Sequence, residues 1–435
     1  MDQRCLVIAD DLTGAADTGA QFAKKGLKTL VIPIRQNRKI EFSQYLDIDV
    51  LVLTSHSRGL APQEASRKVS SLLEGYPKSV YSVIYKKIDS TLRGNIGSET
   101  DAILKNTGLA WGFLTPALPE QGRIVVGGIH LVRGKPLSLS EVSRDAISPV
   151  KESYVKKLLE KQSDHQIGNM GIIEVASGGE TLKKAVREAS RQGIQILIFD
   201  AVERRDLAHI AEVAFTQEKK PLLIGSAGLA KEVAKRFVPK AKGLVISRQK
   251  TESAQSILIV SASASRISHE QLNRVERTKG VPSFLLGREF LTGNESHRSI
   301  LEEEYASKIG KILLKGNVIL KVCQERMLSA DPEDVSVPVR ITQCLGRIVA
   351  SALERSHFDT HDFAILLFGG DTTLSILHHL KTEGIEIDGE LFQGVVSGRI
   401  VGGRWHGLRL ITKAGGFGRK NTLEKILDIL GVKDS

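Results

Sequence analysis

The sequence predicts a two-domain α/β protein, each domain built on a mainly parallel sheet, with a cleft between the domains. Three observations carry this. Short apolar runs recur along the chain, and most are continuous Val/Ile/Leu stretches, as in parallel strands covered on both faces. Amphipathic helical stretches separate them, such as PQEASRKVSSLLEGY at 62–76. Midway, the polar, basic and weakly periodic segment FVPKAKGLVISRQKTESAQ (237–255) breaks the rhythm, and a second strand–helix series follows. The 435 residues also exceed the roughly 250–300 at which a single core stops growing. The expected organisation is a first domain over 1–240, a linker over 241–255 and a second domain over 256–435.

In the first domain the strand-like runs are 4–9, 28–33, 49–54, 80–86, 110–114, 170–175, 194–200 and 221–225. Residues 123–139 (RIVVGGIHLVRGKPLSL) read as a Gly-centred hairpin standing off the sheet. The second series runs SILIVSAS (256–263), a helix near 267–278, VPSFLL (281–286), a helix near 298–315, GNVILKV (316–322), a long helix near 338–356, FAILLFGG (363–370), and a closing segment from 394.

Composition narrows the function classes. Cys5, Cys323 and Cys344 are odd in number and far apart, so they read as reduced thiols of a cytoplasmic protein, not a disulfide framework or a zinc site. The apolar run 6–9 is cut off by two aspartates, which argues against a signal peptide. No run approaches 18 apolar residues, so no membrane partner is expected. The net charge of +11 is spread in pairs such as Lys24-Lys25 and Lys183-Lys184, without a basic block interleaved with aromatics. No nucleic-acid partner is expected.

Four turns of the first domain, each after a strand, are unusually polar. They are Asp10-Asp11-Leu12-Thr13-Gly14, Thr54-Ser55-His56-Ser57-Arg58, Lys86 to Asn95 (KKIDSTLRGN) and Pro116 to Arg123 (PALPEQGR). Together they supply carboxylates, cations and hydroxyls suited to a small hydroxylated acid. Arginine grips carboxylates, and aspartate accepts from hydroxyls or takes their protons. Any one of these residues could instead be structural: Asp10 or Asp11 could cap the following helix, and Arg58 could make a surface ion pair.

The second domain offers different chemistry. Ser261-Ala262-Ser263, Gly369-Gly370-Asp371-Thr372 and Gly415-Gly416 each follow a strand. Glycine lets backbone N–H groups converge on phosphate, and a helix N-terminus adds a favourable dipole. Neither GxxxxGK[ST] nor GxGxxG occurs. An acceptor domain for a hydroxylated acid and a donor domain for a nucleotide suit phosphoryl transfer. His56, His130 and His406 lie apart, without metal-ligand spacing, and read as structural or surface residues.

The motifs IADDLTGAADTG (8–19), SR (57–58), KKIDSTLRGN (86–95), PALPEQGR with VGGIHLV (116–132), RDAISPVKES (144–153), GSAGLA (225–230), FGGDTT (368–373) and KAGGFG (413–418) run end to end. On these the chain resembles the four-carbon acid sugar kinases, which include D-threonate, D-erythronate and 3-oxo-tetronate kinases. The resemblance implies ATP-dependent phosphorylation, with Mg²⁺, of a terminal hydroxyl on a four-carbon sugar acid. It implies substrate contacts at Asp11, Arg58, Lys87, Ile88, Asp89 and Ser90; the polarity of the same turn adds Arg93 as a substrate contact, and Asp11 or Asp89 is the expected catalytic carboxylate that orients or deprotonates the attacking hydroxyl. It implies nucleotide contacts at Ser261, Ser263, Gly369, Gly370, Asp371, Thr372, Gly415 and Gly416. It assigns no metal ligands, and a homodimer is among the assemblies it allows. Two positions depart from the family pattern: His56 stands where an acidic residue is usual, and Ala262 where a glycine is usual. They motivate a rival reading, a non-catalytic sugar-acid sensor on the same fold.

Overall fold

The computed structural model describes residues 4–34, 39–145, 147–237, 254–287, 289–292, 294–322, 336–356, 360 and 362–431. The chain divides into two compact units, Met1–Lys242 and Gly243–Ser435. The stretch expected as a linker, 241–255, falls outside the described residues except for 254–255, as does Cys323.

The first unit is a doubly wound sheet. Its strands are β1 (Cys5–Ala9), β2 (Thr29–Pro33), β3 (Val50–Thr54), β4 (Val83–Lys87), β5 (Gly112–Thr115), β9 (Ile167–Met170), β10 (Ile196–Phe199) and β11 (Leu222–Gly225). They lie in the order β2-β3-β1-β4-β11-β5-β10-β9, and every pairing is parallel. Strands β1 to β4 are buried along their whole length, as their continuous apolar runs require. The GG-centred segment forms a separate antiparallel sheet of β6 (Arg123–Val126), β7 (Ile129–Val132) and β8 (Lys135–Pro136).

One expected strand, 170–175, is mostly helix. The edge strand is β9, paired with β10, and residues Ile172–Ser177 form a short helix. A short apolar run cannot be told from helix by periodicity alone. Here the β9–β10 ladder closes with the Asp200 N–H donating to Met170 O at 3.0 Å, while the Asp200 side chain holds the hairpin. Its carboxylate accepts the N–H groups of Gly127 (2.7 Å) and Gly128 (2.9 Å). The helix leaves Ile173 exposed.

The second unit carries β12 (Ser256–Ser261), β13 (Ser283–Leu286), β14 (Val318–Val322), β15 (Phe363–Phe368), β16 (Gly384–Phe392), β17 (Val395–Val401) and β18 (Arg409–Lys413). The order is β13-β14-β12-β15-β18-β17-β16. The first five strands pair in parallel, and β16, β17 and β18 form an antiparallel meander. The long strand β16 was not expected from the sequence. One face of the sheet packs Leu366, Phe368, Ile257, Ile259 and Ile411 into a core with Leu272 and Leu423. Among the described residues no helix is long and apolar enough to cross a membrane.

Leu366 is completely buried in that core. Leu366→Ala should lower unfolding stability by about 2–5 kcal/mol, measured as a shift in the denaturant midpoint at constant slope.

Candidate active site

In a doubly wound sheet the ligand crevice lies where the chain leaves neighbouring strands in opposite directions, at their carboxyl ends. In the first unit this falls between β1 and β4. From β1 the chain passes through α1 (Leu12–Ala23) to β2 on one side, and from β4 through α3 (Ile96–Thr107) to β5 on the other. Ala9 and Lys87 are in register. Asp10 and Asp11 follow the one strand, and Ile88, Asp89 and Ser90 follow the other.

Arg58, arriving from the end of β3, is clamped there. Its Nε and Nη2 donate to the two oxygens of Asp10 at 2.7 and 3.0 Å, and its Nη1 donates to Asp11 Oδ2 at 2.9 Å. Burial alone would raise the Asp10 carboxyl, but Arg58, Lys86 and Lys87 outweigh it and hold Asp10 below its ordinary range. Asp10 is buried, whereas the Asp11 side chain keeps a quarter of its surface exposed. Asp11 is also the cap of α1, with Oδ1 accepting the Gly14 N–H at 2.9 Å. A Cβ on Gly14 would lie 2.5 Å from Asp11 Oδ1 and 2.8 Å from Lys87 Nζ. That glycine therefore lets a carboxylate and an ammonium share one turn. Lys87 makes no hydrogen bond or ion pair among the described residues.

The KKIDSTLRGN loop is pinned from several sides. Ile88 turns its side chain into the core, and its N–H donates to Gly225 O. Asp89 is saturated. It accepts from Arg93 Nε (2.9 Å) and Nη2 (3.1 Å), from the Thr91 N–H (3.2 Å) and from the Thr91 hydroxyl. Burial pushes its pKa up, but Arg58, Arg93 and these hydrogen bonds hold it well below the usual carboxylate value. Such a group is a poor proton acceptor. Arg93 also donates to Asp145 (3.0 Å), and Arg123 donates to Ser90 Oγ (2.5 Å). The motifs around 116–132 and 144–153 thus converge on this loop.

Three buried residues, Lys86, Glu99 and His130, and the partly buried His56 make further contacts around these turns. Lys86 pairs with Glu99 of α3, whose other oxygen accepts from Ser57 Oγ at 2.7 Å. Glu99 escaped the sequence reading because its burial shows only once the phase of α3 is known. His130 is fully buried between Ser90 O (2.8 Å) and Ile124 O (3.1 Å). His56 adopts a left-handed backbone conformation (φ 48°), with Nε2 2.6 Å from Thr54 Oγ1.

The second unit repeats the logic. From β12 the chain goes to β13 on one side, and from β14 it crosses to β15 on the other, so the crevice lies between β12 and β15. Ser261 and Phe368 are in register there. Gly369 (φ 89°) then opens helix Gly370–His379 with no side chain capping it. Ser263 Oγ lies 2.5 Å from where a Cβ on Gly415 would sit, so the serine turn and the third glycine turn meet. A Cβ on Gly416 would meet nothing within 4 Å, and one on Gly369 only Thr372 Oγ1 at 4.0 Å. These bare backbones and open helix N–H groups fit a phosphate chain. Ala262 is not among the residues with positive φ, so its methyl group brings no backbone strain.

The N-terminal part, residues 5–233, matches the family described as "Sugar-binding N-terminal domain", and residues 258–423 match the "Nucleotide-binding C-terminal domain". The chain is similar to a D-erythronate kinase of Heliobacterium modesticaldum, 28% identical over 99% of this chain and 98% of the relative. It is similar to a D-threonate kinase of Salmonella typhimurium, 29% identical over 97% of this chain and 96% of the relative. A solved chain from Salmonella typhimurium LT2 shares the fold at a TM-score of 0.77 and 22% identity, covering 97% of this chain and 98% of that one.

Burial pushes the pKa of both His56 and His130 down to about 4, from an ordinary value of about 6.5. Between those values the unfolded chain binds more protons than the folded one, so stability falls as pH falls through that window. Melting temperature should drop on acidification from pH 7 to 4.5. His130→Gln and His56→Gln should each flatten that slope.

Proposed function

We propose, from the premise that the chain belongs to the four-carbon acid sugar kinase family, that it transfers the terminal phosphoryl group of ATP to the terminal hydroxyl of a four-carbon sugar acid. The observation that carries this reading is the Asp11–Lys87 pair at the Gly14 turn: a partly exposed carboxylate beside an ammonium with no partner of its own among the described residues. A hydroxy acid needs both, one group for its hydroxyl and one for its carboxylate. The names of full-length relatives, D-erythronate and D-threonate kinase, support the substrate class. The enzyme works in the cytoplasm, consistent with Cys5 and Cys344 as buried free thiols.

In this reading the residues divide their work. Lys87 takes the substrate carboxylate. Asp11 orients the attacking hydroxyl and accepts its proton. Arg58 spends three N–H bonds on Asp10 and Asp11 and so positions Asp11 more than it grips substrate. Asp89 shapes the loop that presents Ser90 and Lys87. This role replaces its alternative as the base, because its acceptor sites are filled. The nucleotide's phosphates lie on Gly369 to Thr372 and on Gly415-Gly416, close to Ser261 and Ser263. Asp371, in the first turn of that helix, is the carboxylate that would help hold a nucleotide-borne Mg²⁺, which would neutralise phosphate charge.

The test is ATP consumption against D- and L-threonate, D-erythronate and the 3-oxo acids, with Asp11→Asn alongside. The unaltered chain should turn over at least one of them. Asp11→Asn should lose about 10²-fold or more in kcat while binding that acid within a few-fold. Near-full activity in Asp11→Asn would remove the role of Asp11. Binding without turnover by the unaltered chain across the panel would favour the sensor reading.

A further inference from the structure

Lys413, the last residue of β18, is 1% exposed. Its amine donates to Ala414 O at 3.1 Å and lies 4.6 Å from the centroid of the Phe368 ring. No carboxylate faces it among the described residues. An ammonium offers three N–H bonds, and here the fold supplies one acceptor and an aromatic face. Burying a cation without a counter-ion is costly, and one carbonyl and one aromatic face offset only part of that cost. Desolvation accordingly pushes the amine down to about 8, so it still carries its proton at neutral pH.

The position of this lysine is as informative as its burial. Lys413 is in register with Phe368, and its own carbonyl accepts the Gly369 N–H at 2.9 Å. The Gly415-Gly416 turn begins two residues later, where Ser263 closes on Gly415. The buried cation thus belongs to the strand end from which two of the bare glycine turns leave, at the carboxyl end of the second sheet. A methionine of similar length would pack against Phe368 without the desolvation cost, so packing alone does not explain a lysine here.

We propose that Lys413 is a nucleotide-binding residue whose ammonium meets the phosphate oxygens of the bound nucleotide, the counter-charge the fold itself withholds. The proposal rests on the reading of this unit as the nucleotide-binding one. It makes the site a charge trap as well as a backbone cradle. The glycine turns supply directed N–H groups, and the lysine supplies a buried positive charge at the end of the neighbouring strand.

Calorimetric titration of the full chain with ATP and with adenosine, for the unaltered protein and Lys413→Met, tests it. ATP affinity should fall about tenfold or more in Lys413→Met, adenosine affinity should stay within about twofold, and the melting temperature without ligand should hold or rise. Where the Met variant does not fold, Lys413→Gln, which keeps a donor for Ala414 O and loses the charge, should show the same selective loss. A variant that binds ATP as the unaltered chain does would overturn the proposal. So would equal losses for ATP and adenosine accompanied by a lower melting temperature, the signature of a structural lysine. Failure of the unaltered chain to bind ATP would overturn the nucleotide reading itself, and the proposal with it.

Discussion

Arg58 is held by two carboxylates at once, and the candidate active site follows from that clamp. Its side chain is 19% exposed and that of Asp10 is 4% exposed, so the ion pair is largely shielded from solvent screening. A pair this buried adds little net stability over an apolar replacement, but removing one partner strands a charge at a cost of about 3–5 kcal/mol. The clamp therefore fixes geometry. It joins the end of β3 to the turn after β1, and it holds Asp11 with one oxygen on Arg58 and the other on the first turn of α1. With both aspartates hydrogen-bonded to arginine, the neighbouring Lys87 makes no hydrogen bond or ion pair among the described residues, which leaves its N–H groups for an incoming acid.

Each unit puts its chemistry at the strand pair where the winding reverses, and each uses glycine differently there. In the first unit Gly14 is required by crowding, since any side chain would collide with Asp11 and Lys87. In the second unit Gly369 and Gly416 border open space, so their bareness serves a ligand in place of a neighbour. Two adjacent carboxylates, Asp10 and Asp11, gather at the turn after β1, whereas the Gly369–Thr372 turn carries the single carboxylate Asp371 and Gly415-Gly416 carries none. That division of charge separates an acid-recognising turn from a phosphate-recognising one within a single chain.

Much of this was legible in the sequence. Continuous apolar runs announced the parallel strands, and polar residues just after them announced the crevices. The GG-centred hairpin was visible because two adjacent glycines split alternating residues. The helix at Ile172–Ser177 was not, because its apolar stretch fits either state and a pairing partner far along the chain decides between them. Side-chain roles were legible only in part. The sequence put Asp10, Asp11, Asp89, Arg58 and Arg93 in polar turns, but not which acid pairs with which base. The sequence offers Asp89 as a candidate base, whereas the structure shows it with four acceptor contacts, and the burial of Glu99 and Lys413 shows only in the fold.

The central claim is that Lys87 is the cation kept available for the substrate's carboxylate. The most direct measurement is calorimetric binding of the tetronate that the enzyme turns over, compared with the uncharged four-carbon polyol of the same stereochemistry, for the unaltered chain and for Lys87→Met. The account predicts that the acid binds far better than the polyol to the unaltered chain, and that Lys87→Met loses this preference while binding the polyol as before. Undiminished preference for the acid in Lys87→Met would contradict it.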